Sequence, residues 1–296
     1  MMYLLFGMLF SLLWASAFIA GKYTLQTLEP LDMLSLRFLL AAALVFALCV
    51  WLTHKGADLG WRGKSLWLHG FLLGLTNYAL YLGWSYTGLK TISPELVVLL
   101  VSTMPFVTAF VSSLITRQWS WLQWAAILLG FAGVYAVLSA RMPQAGWDIG
   151  IVWTLMGMLA LAAGTLIYRA VAGKHHLLAL TGVQNLFGGL LLLPFASPSG
   201  WAAAMHNSVF AWSLWYQVIV VSVVAMLMWF QLVRWLGPAH AAAFHLLNPI
   251  FATLLARLFF HIPLGWADIA GTLLVVIALG MLNRQNIKQV EAAKRT

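Results

Sequence analysis

Apolar residues fall in long runs that short polar connections separate. Ten runs are each long enough to cross the ~30 Å hydrocarbon core of a membrane as a helix. Their approximate bounds are 3–21, 33–53, 66–88, 95–115, 121–140, 149–168, 178–196, 210–234, 239–260 and 266–283. The pattern therefore predicts an all-α integral membrane protein with ten transmembrane helices.

The fourth and ninth runs share a pattern of prolines. Pro94 and Pro105 stand eleven residues apart in one, and Pro238 and Pro249 keep that spacing in the other. A proline in the first turn of a helix costs little, whereas one in the interior removes a hydrogen bond. Eleven residues of helix rise about 16 Å, roughly half of the hydrocarbon core. We therefore predict that both helices bend near mid-membrane, with Pro105 and Pro249 as hinges.

The two proline patterns also indicate an internal repeat. Their offset of 144 residues pairs the fourth run with the ninth, so that each repeat holds five helices. Because five is odd, the second copy is inserted in the opposite orientation. We predict two inverted-topology five-helix repeats at 1–140 and 149–284, with a cytoplasmic tail at 285–296. Such repeats favour alternating access in a transporter, and a coincidental match of prolines is the alternative.

Composition and charge agree with a membrane location. The 296 residues are 63% hydrophobic and 8% charged, against ~25% charged in soluble domains. The net charge of +9 does not indicate nucleic-acid binding, because the basic residues lie between the apolar runs. Eleven lysines and arginines fall on the side of the termini and four on the other. The positive-inside rule therefore predicts that both termini are cytoplasmic.

The third run carries the clearest polar stripe. Asn77, Tyr81 and Trp84 recur at helical spacing among glycines, and Tyr78 lies at the edge of the stripe. In lipid, small and polar residues mark a face that packs against protein or lines a cavity. The stripe thus predicts a substrate cavity, with helix–helix packing as the alternative.

The ninth run places polar groups directly before its inner proline. Pro249 removes the hydrogen bond to the carbonyl of His245, and Asn248 lies between them in the chain. Polar groups at this depth are expected to face water or a ligand, although a packed histidine is the alternative. The predicted substrate-binding residues are Trp14, Asn77, Tyr78, Tyr81, Trp84, Ser102, Trp229, His245 and Asn248.

Two charged residues are candidates for a coupling or gating role. Arg37 either extends its side chain to the interface, which we favour, or attracts an anionic carboxylate. Glu95 follows Pro94, where the helix dipole stabilises a carboxylate, and a structural end-cap is the alternative to proton coupling. We single out Glu95 because we expect no other acid within a predicted helix. The lone cysteine, Cys49, excludes an intrachain disulfide and a thiolate metal site.

Several motifs, taken in order, resemble the drug/metabolite transporter superfamily and its ten-helix exporters with two EamA-type domains. The matching positions are Leu13-Trp14-Ala15-Ser16-Ala17-Phe18, Lys22, Pro30, Leu36-Arg37-Phe38-Leu39-Leu40-Ala41-Ala42, Ala79-Leu80, Gly88-Leu89, Ser93-Pro94, Pro105, Gly237-Pro238-Ala239, Asn248-Pro249 and the segment from Gly271 to Gly280. The second repeat departs from the pattern, because Ala162-Ala163-Gly164 stands where a tryptophan motif is expected and no arginine matches Arg37.

The resemblance implies a bacterial inner-membrane exporter of small metabolites, with amino acids or drug-like cations as substrates. An aromatic cavity suits both classes. We expect the lipid bilayer and a small-molecule substrate as partners, protons as a candidate coupling ion, and a monomer or weak dimer without cofactor or metal. One alternative is an intramembrane enzyme acting on lipid or peptide, but the apolar runs hold no HExxH or GxSxG motif. The other is a receptor or structural membrane protein, against which the predicted inverted repeat argues, because signalling needs no such symmetry.

Overall fold

The described part of the chain forms two compact units. The computed structural model describes residues 2–61, 63–104, 106–107, 110–111, 114, 120–141, 148–171, 173–229, 231–232, 235, 243–261 and 263–293. Unit 1 contains Met1–Ile19, Ile92–Ile151 and Met228–Thr296, and unit 2 contains Ala20–Thr91 and Val152–Leu227. Each unit thus combines segments from both halves of the chain.

Helices account for the regular structure of the described residues, which include no strand. The α-helices are α1 (Met2–Thr24), α2 (Pro30–His54), α3 (Lys64–Leu73), α4 (Tyr81–Gly88), α5 (Pro94–Val101), α6 (Trp121–Arg141), α7 (Ile149–Val171), α8 (Leu177–Leu192), α9 (Trp201–Met205), α10 (Ser208–Trp215), α11 (Asn248–Phe260) and α12 (Trp266–Ala293). Two π-helical segments, π1 (Gly74–Leu80) and π2 (Tyr216–Ala225), continue α3 and α10. Short 3₁₀ segments lie at Leu193–Phe195, Pro198–Gly200 and Ala243–Leu247.

Five helical segments among the described residues are long and apolar enough to cross a membrane. They are Tyr3–Thr24, Pro30–His54, Ile149–Tyr168, Leu177–Phe195 and Ser208–Trp229. Shorter apolar helices lie at Trp124–Val137, Asn248–Phe260 and Trp266–Ala278. A chain with several such helices is an integral, multi-pass membrane protein.

In unit 1, helices α6 and α12 meet at a glycine pair. A Cβ atom added at Gly133 would lie 2.6 Å from the carbonyl oxygen of Gly271, and one added at Gly271 would lie 2.5 Å from that of Gly133. Small residues allow two helix backbones to approach closely in lipid. Backbone contact therefore fixes the packing of this helix pair.

In unit 2, helix α8 packs against α2 and the α3–π1 segment. The Ser35 hydroxyl donates to the Gly189 carbonyl over 3.0 Å. A Cβ at Gly74 would lie 2.8 Å from the Gln184 carbonyl oxygen, and one at Gly70 would collide with Val183. The glycines at the start of the predicted stripe are therefore helix–helix contacts.

The ninth predicted helix changes geometry at its proline. Residues Ala243–Leu247 form a 3₁₀ segment, and α11 begins at Asn248 with Pro249 in its first turn. The missing N–H of Pro249 therefore falls where an α-helix has no partner for it. The predicted hinge is thus a junction between two helix types rather than a bend within one α-helix. Pro105 and Pro238 lie outside the described residues.

Candidate functional site

Helix α1 holds the 3₁₀ segment of unit 1 at a face of small residues. The Ser11 hydroxyl donates to the Phe244 carbonyl over 2.5 Å, and the Gly7 carbonyl lies 3.1 Å from the same hydroxyl. A side chain at Gly7 would collide with the Phe244 ring. This contact fixes the position of the next residue, His245.

Three aromatic rings meet in unit 1 around the imidazole of His245. The centroid of that ring lies 4.7 Å from Trp229, 5.2 Å from Phe10 and 5.8 Å from Trp14. Phe10 also contacts Trp14 at 5.6 Å and Trp229 at 5.5 Å. We call Phe10, Trp14, Trp229 and His245 the aromatic box. Ring faces and edges at these distances attract flat rings and organic cations.

Asn248 orients the imidazole of the aromatic box. Its Nδ2 lies 2.9 Å from His245 Nδ1, and its side chain is buried. Asn248 Oδ1 has no hydrogen-bond partner among the described residues. The amide thus fixes one edge of the ring and leaves a buried acceptor beside the box.

Unit 1 also contains a small polar cavity with two carboxyl groups. Glu95 and Asp268 line it together with Thr253 and Thr272, and its volume of about 10 Å³ accommodates one water molecule. The expectation that no other acid lies within a predicted helix is therefore wrong, since Asp268 falls in the tenth run and is 7% exposed. Both acids lie in the first turn of their helices, where the dipole stabilises a carboxylate. Asp268 Oδ2 also accepts from the Gly265 amide over 2.9 Å.

Unit 2 surrounds the guanidinium of Arg37 with neutral polar groups. Arg37 Nε donates to Ser222 Oγ over 3.0 Å, and Nη1 donates to Tyr86 Oη over 3.1 Å and to Gln217 Oε1 over 2.9 Å. Tyr86 Oη donates to Gln217 Oε1 over 2.6 Å, and Gln217 Nε2 donates to Thr24 Oγ1 over 3.3 Å. We call these five residues the arginine network. The interpretation that Arg37 extends to the membrane interface is wrong, because the residue is 2% exposed and these partners satisfy it.

Both π-helical segments carry polar side chains into unit 2. Segment π2 supplies Gln217 and Ser222 to the arginine network, and π1 carries Asn77 and Tyr78. The Tyr78 ring packs edge-on to Phe38 at 4.7 Å. The wider turn of a π-helix changes which side chains share a face, and such segments are common at functional sites.

The remaining predicted residues of unit 2 lie on the same helical segment. A side chain at Gly164 would collide with Asn77 Oδ1, an atom that has no hydrogen-bond partner among the described residues. Tyr81 is buried, and its carbonyl oxygen would lie 2.8 Å from a Cβ at Gly157. Trp84 is half-buried. Here the polar stripe packs against the glycines of α7.

The structure brings some of the predicted site residues together and separates others. Trp14, Trp229, His245 and Asn248 meet in unit 1, whereas Ser102 donates to the Val98 carbonyl of its own turn over 2.7 Å. Sequence reasoning missed several functional candidates, which are Phe10, Tyr86, Gln217, Ser222 and Asp268. Gln217 and Asp268 carried a usable signal, namely a polar side chain within an apolar run. Phe10 stands four residues before Trp14, one turn away on the same face.

A histidine pair lies at one end of unit 2. His69 Nδ1 and His175 Nε2 are 2.7 Å apart, so one ring donates to the other. His175 follows α7 in a connection, and partial burial, the neighbouring His69 and Lys174 lower its pKa from the ordinary 6.5. The pair therefore favours a neutral imidazole at position 175.

Together these features define a class of protein. Multi-pass apolar helices with buried polar networks are the architecture of a membrane transporter. The family model described as the EamA-like transporter family matches residues 1–139 and 148–284. The chain belongs to this family, and the predicted resemblance to drug/metabolite transporters is confirmed. The comparisons give the alternative of an intramembrane enzyme no support.

Relatives from bacteria and an archaeon carry transporter names. The chain is 27% identical over 264 residues to the uncharacterized inner membrane transporter YedA of Escherichia coli (strain K12), covering 85% of this chain and 81% of that protein. It is 24% identical over 291 residues to the uncharacterized transporter YvbV of Bacillus subtilis (strain 168), covering 95% and 92%. An uncharacterized transporter of Archaeoglobus fulgidus is 27% identical over 250 residues, covering 83% and 84%.

A crystal structure of a protein with 19% identity matches with a TM-score of 0.65 over 95% of this chain and 97% of that chain. At this identity the likeness shows a shared fold alone.

Proposed function

We propose that the protein is a secondary transporter that exports small organic metabolites across the bacterial inner membrane by alternating access. Its substrates are amino acids, aromatic ones included, or drug-like cations. The observation that carries this proposal is the aromatic box around His245. It gathers in one unit four side chains that suit a flat or cationic solute, and Asn248 adds a buried acceptor beside them.

The aromatic box forms the cargo site in this proposal. Trp14 and Trp229 present indole faces, which are the strongest partners for an organic cation among the aromatic side chains. His245 adds a ring whose orientation depends on Asn248. Because α11 begins beside this ring, movement at the junction before Pro249 changes the shape of the box.

The acid cavity is the coupling site in this proposal. Glu95 and Asp268 line one small polar cavity, and acidic side chains within membrane-spanning segments are the groups that relay protons in pumps and transporters. A structural role as two helix caps is the competing explanation. Glu95→Gln and Asp268→Asn should each reduce the response of flux to a pH gradient. The matched control is Asp58→Asn, because Asp58 is an exposed acid in a connection.

Alternating access by inverted repeats requires a definite topology. With ten helices and cytoplasmic termini, residue 90 faces the outside and residue 235 faces the cytoplasm. Cys49 is the chain's single cysteine, so Lys90→Cys and Trp235→Cys in a Cys49→Ala background each carry one label. A membrane-impermeant thiol reagent added to intact cells should react with residue 90 alone. Reaction of both positions from one side would refute the inverted repeat.

Flux into reconstituted vesicles tests the proposed function itself. Purified protein is compared with empty vesicles for uptake of labelled amino acids and cationic dyes, with and without a pH gradient. We expect at least one solute to move faster through the protein, and Asn77→Ala to alter that rate without loss of folding. If every solute enters both vesicle types at the same rate, the proposal fails.

A further inference from the structure

The arginine network contains a buried positive charge that is paired with no carboxylate of the described residues. An arginine remains protonated in proteins, and burying its charge is costly unless an anion compensates it. Each hydrogen-bond partner that the described residues give Arg37 is neutral, and the guanidinium carbon lies 5.3 Å from the centroid of the Phe38 ring. The ion pair found among the described residues joins Lys90 to Glu29. The described residues of unit 2 therefore give this cation no counter-ion.

The nearest acid in the sequence makes a different contact. Asp32 lies on α2 as well and is buried, but its Oδ1 accepts from the Ser197 amide. A charge with a purely structural role is commonly paired with such a residue. Arg37 instead donates its hydrogen bonds to neutral acceptors. A carboxylate is a stronger acceptor and can replace them.

One atom marks where that stronger acceptor would bind. Gln217 Oε1 accepts two hydrogen bonds, from Arg37 Nη1 over 2.9 Å and from Tyr86 Oη over 2.6 Å. Two donors that converge on one oxygen form the recognition pattern of a carboxylate, and hydrogen bonds to charged groups are about twice as strong as neutral ones. The amide oxygen of Gln217 thus occupies a position suited to an anionic oxygen.

We propose that Arg37 and Tyr86 bind the carboxylate of the transported solute, which displaces the side-chain amide of Gln217. The proposal rests on the proposed transport function and selects among its substrates, favouring amino acids over cationic drugs. Gln217 acts as an internal substitute that satisfies the two donors when no carboxylate is bound. Ser222 holds the Nε edge of the guanidinium, so that Nη1 stays directed at the site.

The test compares each of two amino acids with its C-terminal amide, from which it differs only in the carboxylate, and adds two simple anions. The probes are L-phenylalanine, L-leucine, their C-terminal amides, sodium acetate and sodium chloride. Binding to the purified protein is followed by thermal stabilisation, and flux is followed in vesicles. The wild type should bind each amino acid about tenfold or more tightly than its amide, the worth of one charge-assisted hydrogen bond.

Gln217→Glu supplies a resident carboxylate of nearly the same shape. It should pair with Arg37, preserve thermal stability and abolish the preference for acids over amides. Gln26→Glu is the matched control, because Gln26 is exposed in unit 2 and the same charge added there should leave the preference intact.

The outcomes separate this inference from the function on which it rests. If the wild type binds acid and amide equally, the inference is overturned, and this comparison needs no variant. Flux of either solute would still support the transport function. Stabilisation by chloride without a preference for acids would assign the site to a resident inorganic anion and overturn the substrate role. If no probe binds or moves, this inference fails, and the transport function is then decided by the flux of cationic dyes alone.

Discussion

The arginine network of unit 2 is buried throughout, whereas the aromatic box of unit 1 combines the buried Phe10 with three half-buried rings. Different forces hold the two regions together. The box is maintained by ring contacts of 4.7 to 5.8 Å, with interplanar angles from 27° to 81°, so that no single relative orientation of the rings is required. The network is maintained by hydrogen bonds of 2.6 to 3.3 Å, each of which needs a specific partner. The box should therefore tolerate changes of shape, whereas the network should fail when one partner is lost.

This difference fits two tasks in recognition. A surface of rings accepts many flat solutes, because stacking tolerates changes of substituent. A pair of donors converging on one oxygen accepts few, because a buried donor left without an acceptor is costly. In the proposed function the box therefore provides breadth, and in the proposed carboxylate site the network provides selection.

The largest effect is expected in the arginine network. Gln217→Leu removes the acceptor shared by Arg37 and Tyr86, and it should lower the free energy of unfolding by about 3 kcal/mol. Unfolding in mixed detergent micelles measures this loss. Gln26→Leu, at an exposed position, should have little effect. If Gln217→Leu destabilised the protein as little as Gln26→Leu, the network would be as tolerant of substitution as the box.

A second substitution tests whether changes of side-chain shape are tolerated throughout unit 1 or in the aromatic box alone. Gly271→Ala places a Cβ against the Gly133 carbonyl, and overpacking of this kind should cost about 2 kcal/mol. Gly280→Ala lies on the same helix α12 with no atom within 4 Å of the added Cβ, so it should be neutral or slightly stabilising. The same unfolding assay compares them. Equal stabilities would contradict the close helix contact.

A smaller effect is expected inside the box. Phe10→Leu keeps an apolar side chain but loses the ring contacts with Trp14, Trp229 and His245, and it should cost about 1 kcal/mol. Flux of aromatic solutes should fall more than flux of aliphatic ones. Phe195→Leu is the control, because Phe195 is 72% exposed. A loss as large as that of Gln217→Leu would remove the distinction between the two regions.

The smallest effect is a pH dependence in unit 2. In the folded protein the pKa of His175 lies below its ordinary value of 6.5. As the pH falls, His175 is therefore protonated in the unfolded chain before it is protonated in the folded one. The stability that the neutral ring contributes is therefore present above about pH 6.5 and decreases below it. Unfolding temperatures of wild type and His175→Asn, measured from pH 7.5 to 5, should converge on acidification. His206→Asn, at an exposed histidine, should follow the wild type, and parallel curves for His175→Asn would contradict the shift.

Local patterns in the sequence identified more residues of the box than of the network. Trp14, Trp229, His245 and Asn248 stood out because rings and amides are conspicuous in apolar runs, although their role in binding stays a prediction. Phe10 did not stand out, because a phenylalanine in an apolar run resembles an ordinary core or lipid-facing residue even one turn away from Trp14. The partners of Arg37 are 49 to 185 positions away in the chain, so their contacts depend on tertiary packing alone.

The helix geometry shows the same limit. The proline spacing located the irregularity at Pro249 because the missing N–H is a local property. It did not predict the 3₁₀ segment before that proline or the two π-helical segments. Those depend on how neighbouring side chains pack.

The most direct test of the account is substrate flux through His245→Ala in reconstituted vesicles. The solute is one that the wild type moves faster than empty vesicles do, and His206→Ala controls for the loss of an imidazole. The account predicts that His206→Ala matches the wild type while His245→Ala, still folded, loses about tenfold or more of the initial rate, as expected when a ring contact and its hydrogen bond are removed. A folded His245→Ala protein that moves the solute at the wild-type rate would contradict the assignment of the aromatic box as the cargo site.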